Sequence, residues 1–378
     1  MPVYLDNAAT TQVCPEAAQA AAEAMLECYG NPSSQHQVGR SAKKLLDASR
    51  ESVASALGCK PEELYFTSCG TESDNWAVRC GAMYARHLGK HIISSAVEHD
   101  AIRQALTLME DSGFEVTRLK PEKDGSVSVQ AVMDALREDT CLVSLMMVNN
   151  ETGGITDIAA IAKAMRERGS RALLHTDAVQ GFLKVPFSAA SLGADMISIS
   201  GHKIHAPKGI GALYIRSGIN LRPLLPGGGQ ENGMRSGTEA MPAIAAFGVA
   251  SRLGKEAMDE ALPRMAELKR HITGRVIAEC DGAAVVESAA PHIICLSLPG
   301  NRSETILNLL DSRGICVSRG SACKKGRRSH VLEAIGMKPA LIDGAIRISL
   351  SRYSTMDDAD AVCDALRDAR KSLFRARK

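Results

Sequence analysis

The sequence predicts an α/β protein: a mainly parallel sheet with helices on both faces, followed by a smaller α+β unit. Three observations carry this expectation. Between residues 64 and 215, short apolar runs alternate with amphipathic stretches, the βαβ rhythm that builds parallel sheets. The rhythm stops at Leu225-Pro-Gly-Gly-Gly229, and a long helix-forming stretch follows. Polar residues with chemical potential gather just after the apolar runs, at the strand ends where such sheets bind ligands.

Taken in order, residues 1–13 read as an extended arm, and Pro15 opens a helix running to Leu26. Gly30-Asn-Pro-Ser-Ser34 is a turn whose serines are placed to cap a helix from about Gln35 to Leu57, ended by Gly58. Strands are expected at Leu64–Thr67, His91–Ser95, Phe114–Leu119, Cys141–Val148, Leu173–Thr176, Asp195–Ser200 and Ala212–Ile215. Between them fall helices at Thr71–Leu88, His99–Ser112, Ser128–Leu136 and Asp157–Arg168. Ala240 to about Cys280 reads as one long helix. Strands near Ile293–Leu298 and Ile346–Leu350, with helices at Glu304–Ser312 and Asp357–Ala376, complete the second unit. The expected division is 14–255 for the large domain, and 1–13 with 256–378 for the small one.

A chain of 378 residues has room for two or three cores at about 150 residues each. A net charge of +2 and an aromatic content of 3% argue against a nucleic-acid surface, which needs a basic field or stacking platforms. The apolar runs fall short of the ~20 residues that span a bilayer, and the N-terminus has no charged-then-apolar signal pattern. Its 11 cysteines form no C-x-x-C pair, so they read as reduced thiols of a cytoplasmic protein. His202 and His205 lack a second ligand pair nearby in sequence, so no metal is expected.

The central stretch is Ser198-Ile-Ser-Gly-His-Lys203. A lysine at a strand end forms Schiff bases when its charge is suppressed, although a lone lysine is more often a surface residue. Gly70 and Thr71, in Ser68-Cys-Gly-Thr-Glu72, stand where a helix N-terminus binds phosphate or merely caps itself. Asp177 follows a buried strand and is suited to holding a proton on a heterocyclic nitrogen. His99 follows a third strand, and Asn149-Asn150 a fourth, where asparagines also serve as turn formers. Singly each has a duller reading. Jointly they supply a phosphate cradle, an imidazole, an amide, a carboxylate and an amine, the set pyridoxal 5'-phosphate requires.

The chain resembles the cysteine desulfurases of the NifS/IscS kind, class V enzymes dependent on pyridoxal phosphate. The motifs that carry the resemblance are Tyr4-Leu-Asp-Asn-Ala-Ala-Thr-Thr11, Gly30-Asn-Pro-Ser-Ser-Gln-His36, Thr67-Ser-Cys-Gly-Thr-Glu-Ser-Asp-Asn75, Val97-Glu-His99, Val148-Asn-Asn-Glu151, His175-Thr-Asp-Ala-Val-Gln180, Ser200-Gly-His-Lys203, Arg235-Ser-Gly-Thr238 and Arg319-Gly-Ser-Ala-Cys323. They run in the family's order through nearly the whole length. The resemblance implies a fold-type I transferase with a seven-stranded sheet, working as a homodimer on L-cysteine. It implies Lys203 as the Schiff-base lysine, Asp177 beneath the pyridinium nitrogen, Gln180 at the phenolic oxygen and His99 stacked on the ring. Gly70, Thr71, Ser200 and His202 would hold the phosphate, with Thr238 reaching in from the other subunit. Asn150 and Arg347 would hold the substrate carboxylate.

Cys323 completes the implied set as the thiol that takes the sulfur, leaving L-alanine. It is followed by Lys324, Lys325, Arg327 and Arg328, and positive charge raises a thiol's thiolate fraction. The basic run suits a sulfur-acceptor protein with an acidic surface, such as an iron–sulfur scaffold or a thiolation enzyme. The Cys323 segment is expected to be a mobile loop of the small domain. Another class V activity, such as selenocysteine lyase or aminotransferase, and a non-catalytic regulatory protein that keeps the fold, stand as alternatives.

Overall fold

The strands are built from short runs rich in β-branched residues and leucine, with serine, threonine and histidine among them, and many of the helices from alanine-rich segments. In the computed structural model, which describes residues 2–319 and 328–375, they run as follows. First come β1 (Val3–Tyr4), α1 (Pro15–Leu26), α2 (Gln37–Leu57), β2 (Leu64–Thr67) and α3 (Gly70–Ala85). Next are β3 (His91–Ser95), α4 (Asp100–Asp111), β4 (Glu115–Leu119), α5 (Val129–Ala135), β5 (Thr140–Met146) and α6 (Ile158–Glu167). Then come β6 (Leu173–Asp177), α7 (Ala189–Leu192), β7 (Met196–Ser200), β8 (Gly211–Ile215), α8 (Met241–Glu256) and α9 (Met258–Glu279). The last are β9 (Ala284–Val286), β10 (Ile293–Ser297), α10 (Ser303–Asp311), β11 (Ile315–Cys316), α11 (His330–Ala334), α12 (Pro339–Asp343), β12 (Ala345–Ser349) and α13 (Met356–Arg375).

Seven strands form the central sheet in the order β2-β8-β7-β6-β5-β3-β4, and only β8 runs against its neighbours. Successive residues point to opposite faces. Ile92 and Leu142 therefore pack under α3 and α4 with Trp76 and Leu106, while Ile93, Val143 and Leu145 join Leu57, Ile161 and Phe247 on the other face. Register puts Met146 and Asp177, the last residues of β5 and β6, in one row with Ser198 in the middle of β7. The lone tryptophan, Trp76, is fully buried and donates its indole N–H to the Arg222 carbonyl at 3.1 Å.

A second core gathers Leu5, Met265, Ile272, Ile294, Leu296, Ile306, Ile348 and Leu366 around an antiparallel sheet, β12-β10-β9. The N-terminal arm belongs to it through β1, which pairs with β11. Among the described residues no helix is long and apolar enough to cross a membrane. Cys323, with Lys324, Lys325 and Arg327, lies outside the described residues.

Two local expectations change. The stretch 240–280 is two helices, parted at Ala257, not one. Lys255 in the last turn of α8 and Asp259 and Glu260 in the first turn of α9 suit a helix end followed by a helix start. The cap of α2 is His36, whose Nδ1 accepts from the Gly39 amide, rather than a serine of the preceding turn.

Gly58 ends α2 in the left-handed region, at φ 72°, and a Cβ there would sit 2.5 Å from Ser188 Cβ. Gly58→Ala therefore meets both backbone strain and a clash. It should lower stability by about 2–4 kcal/mol, read as a drop in the urea-unfolding midpoint.

Candidate active site

The site forms where β2, β5, β6 and β7 end and the N-terminal arm crosses them. Ser200 closes β7 and a single 3-10 turn, Gly201–Lys203, follows, so strand geometry fixes where Lys203 starts. The Lys203 Nζ donates to the carbonyls of Ala8 and Ala9, both at 2.7 Å. Gln180, from the turn after β6, donates its Nε2 to the same Ala8 carbonyl at 2.8 Å. The arm is pinned again by Thr11, whose backbone N–H and hydroxyl both donate to the His202 carbonyl.

Burial lowers the Lys203 amine to about 8, and the Arg347 charge adds to this against the opposite pull of Asp177 and Asp6. Burial also lowers His202 to about 3, with Lys203 contributing, so its imidazole is neutral at pH 7 and acts through hydrogen bonds. Its Nδ1 lies 3.2 Å from Thr10 Oγ1. Asp177 is the last residue of β6, and its Oδ1 accepts from the Val179 amide at 2.9 Å. Burial lifts its carboxyl above the usual range, opposed by His99, the Val179 amide and Lys203. An arriving cation would reverse that lift, which is what a pyridinium N–H supplies.

Gly70 opens α3, and its N-cap, Cys69, provides no side-chain cap. The first N–H groups of the helix are thus left for an anion. A Cβ on Gly70 would come within 2.8 Å of Val179 Cγ2 and 3.5 Å of Ser200 Cβ, so the cradle closes only around glycine. Ser200 Oγ and Gln180 Oε1 are buried without hydrogen-bond partners. Two orphaned polar atoms beside free helix N–H groups, a buried acid and a held amine fit pyridoxal phosphate, whose phosphate and phenolic oxygens would satisfy them. Thr71, next in the helix, is exposed.

His99 caps α4: its Nδ1 accepts from the Ala101 amide at 3.2 Å, which leaves Nε2 as the remaining ring nitrogen. Arg347, in the middle of β12, carries the second core into the site. Its guanidinium donates to the Asn150 carbonyl at 2.7 Å and to Asp6 Oδ1 at 2.9 Å, while Nε is buried and unpartnered. Asn150 enters here through its backbone. The neighbouring Asn149 is a turn former, its Oδ1 accepting from Glu151 and Thr152. Thr238 is exposed, in a loop tied to the phosphate cradle by the ion pair Arg235–Glu72 at 2.8 Å. Burial alone would raise the Glu72 carboxyl; hydrogen bonds from Arg235 and Ser68 outweigh it and hold it below the usual range.

The segment that includes Cys323 is anchored at both described flanks. Ser318 exchanges backbone hydrogen bonds with Arg347, and Ser329 donates its hydroxyl to the buried Glu151. Lys203, Asp177, Gln180, Ser200, Gly70 and Arg347 are thus brought to one place. The Ala8 and Ala9 carbonyls, Asp6 and the Arg235–Glu72 pair were not legible as site groups. Backbone acceptors leave no mark in a sequence beyond the small-residue run Asn7-Ala-Ala9.

Known proteins resemble this chain over nearly its whole length. Residues 3–362 match the family model described as aminotransferase class V. A cysteine desulfurase of Trichormus azollae is 41% identical over 96% of this chain and 92% of its own length. A cysteine desulfurase IscS of Methanosarcina thermophila is 39% identical over 96% of this chain and 91% of its own. A solved structure titled a NifS-like protein superposes with a TM-score of 0.92 at 36% identity, covering 98% of this chain and 99% of the other.

The Lys203 environment has a measurable consequence in cofactor-free protein. Labelling of Lys203 by an amine-selective reagent, followed by mass spectrometry, should rise with a midpoint near pH 8, well below that of a free lysine. Arg347→Gln removes a repelling charge and should move the midpoint up by about one unit.

Proposed function

Since the chain belongs to the aminotransferase class V family, we propose that it is a pyridoxal-phosphate-dependent cysteine desulfurase. It converts L-cysteine and the Cys323 thiol into L-alanine and a Cys323 persulfide. One conjunction carries this reading. Asp177 closes β6 and Lys203 ends the turn that follows the adjacent β7, in a chain that is 41% identical to a cysteine desulfurase over 96% of its length.

Lys203 would hold the cofactor through Nζ and, when not so engaged, hold the proton taken from the substrate's α-carbon. Its amine titrates at about 8, close enough to neutrality to act in both directions. Asp177 would keep the proton on the pyridine nitrogen. Bound there, pyridoxal phosphate would supply the electron sink for the α-carbon. Gly70, Thr71, Ser200 and His202 would hold the phosphate and Gln180 the phenolic oxygen, and His99 would face the ring and pass protons through Nε2. Arg347 and Asn150 orient the substrate carboxylate, for which a guanidinium offers parallel charged hydrogen bonds. Cys323 attacks the substrate sulfur as thiolate: an S–S bond forms, the substrate's C–S bond breaks, and the carbon skeleton leaves as alanine.

The two cores are the large and small domains of such an enzyme, 14–255 and 1–13 with 256–378. The enzyme is a homodimer in which Thr238 completes the partner's phosphate site. Met25, Leu26 and Tyr29, exposed by 58%, 78% and 71%, support an apolar contact at the end of α1. The acceptor is an iron–sulfur scaffold or a thiolation enzyme with an acidic face. A cytoplasmic setting is supported by the described cysteines, which are all free thiols.

The test is release of alanine from L-cysteine, with mass spectrometry of the protein. Wild type should carry an added sulfur on Cys323. Cys323→Ala should lose at least about a hundredfold in alanine release while keeping the cofactor's visible absorbance. Undiminished turnover in that variant would overturn the assignment.

A further inference from the structure

Beneath Asp177 lies a group of side chains to which the reaction assigns no task. Asp74, on the second turn of α3, is 2% exposed and Glu98, just past β3, is 1% exposed. Each has one carboxyl oxygen without a hydrogen-bond partner, Asp74 Oδ1 and Glu98 Oε2. With Asp177 they make three buried carboxyls within electrostatic reach of one another. Such groups cannot all ionise together in a medium of low dielectric.

The other groups facing them are few. Asp74 meets Ser198, to which its carboxyl is hydrogen-bonded, Cys69, and His175, whose Nε2 is 3.8 Å from Asp74 Oδ1. Glu98 meets Ser95 and the Met146 amide, both donating to Oε1. Asp177 faces His99 and Lys203. His175, beside Asp74, is lowered by burial to about 3 and so stays neutral, and His330 Nε2 lies 3.4 Å from the Glu98 backbone carbonyl.

His175 continues the connection across the sheet. Its Nε2 is 2.9 Å from Ser198 Oγ and its Nδ1 is 2.9 Å from Ser144 Oγ. The chain Asp74–Ser198–His175–Ser144 has two consistent sets of protons. With a proton on Asp74, Asp74 donates to Ser198, Ser198 donates to Nε2, and the imidazole carries its own proton on Nδ1. With Asp74 ionised every donor reverses, and the imidazole proton moves to Nε2.

We propose that Asp74 and Glu98 are held as neutral carboxylic acids, so that Asp177 is the single carboxylate under the cofactor and the Asp74 proton sets the direction of the chain through Ser198 and His175 to Ser144. This rests on the reading of Asp177 as the partner of the pyridine nitrogen. Asp74 and Glu98 are positioning residues: they touch neither cofactor nor substrate, and they concentrate the negative charge of the strand ends on one group. Burial pushes Asp74 well above the carboxylate range, with Asp177 adding to it, and pushes Glu98 to about 8. A raised folded-state value means that both groups favour the fold most fully below the unfolded carboxyl range. That contribution is lost as pH rises towards 8.

Neutron diffraction from crystals of the deuterated holoenzyme at pH 7 reads these positions without turnover, so its outcome is separate from whether the enzyme desulfurates cysteine. Deuterium is expected on Asp74, on Glu98 and on Nδ1 of His175, with none on Asp177. A bare Asp74 carboxylate with deuterium on Nε2 would overturn the proposal. In solution, the Asp74→Asn/Glu98→Gln double variant should flatten the fall in melting temperature between pH 5 and pH 8. Should that variant not fold, the infrared band of protonated carboxyl groups in wild-type holoenzyme at pH 7 decides: its presence supports the proposal and its absence defeats it.

Discussion

The bond from Lys203 to the carbonyls of Ala8 and Ala9 is the constraint on which the site depends. An amine that sits on backbone oxygens is fixed in direction without being given a counter-charge. A carboxylate in the same place would hold the ammonium charged and spoil it as a nucleophile. The carbonyls come from the arm that also adds β1 to the second core, so one short segment aims the lysine and fastens the two cores together. Arg347 does the converse from the other side: it is rooted in β12, reaches Asn150 and Asp6, and its charge lowers the Lys203 amine further.

The electrostatics of the site follow from depth more than from pairing. Lys203 and His202 are shifted first by burial and only then by charged neighbours, and His175 by burial alone. Neutral forms are thereby favoured on both the acid and the base side. The ion pairs stand at the two edges, Arg347–Asp6 toward the second core and Arg235–Glu72 by the phosphate cradle.

Much of this was legible in the sequence, because the strands of a parallel sheet are apolar on both faces and so announce themselves. The span of β3 came out as read, and β7 differed by one residue. Asp177 and Lys203 were legible as a pair because each breaks the polarity pattern at the end of such a run. The parting of α8 from α9 was not, since no glycine or proline marks Ala257 and only the charges around it change sign. Nor were β1, β9 and β11, each three residues or shorter, which carry too little pattern to stand out from loop. Asp74 and His175 were quoted within motifs without a role. Their roles come from a contact between α3 and β6, and tertiary proximity has no local signature.

The position of Trp76 has an optical consequence. The chain's one indole is sealed under α3, the helix whose first turn forms the phosphate cradle, and it is bonded to the Arg222 carbonyl in the stretch that leads to Arg235. Tryptophan emission from this protein, excited beyond the tyrosine absorption, is therefore a single-site signal. It reports the packing of the larger core and the seating of that loop, and it is blind to the antiparallel sheet around Arg347. Fluorescence and circular dichroism would separate wherever the two cores come apart at different points.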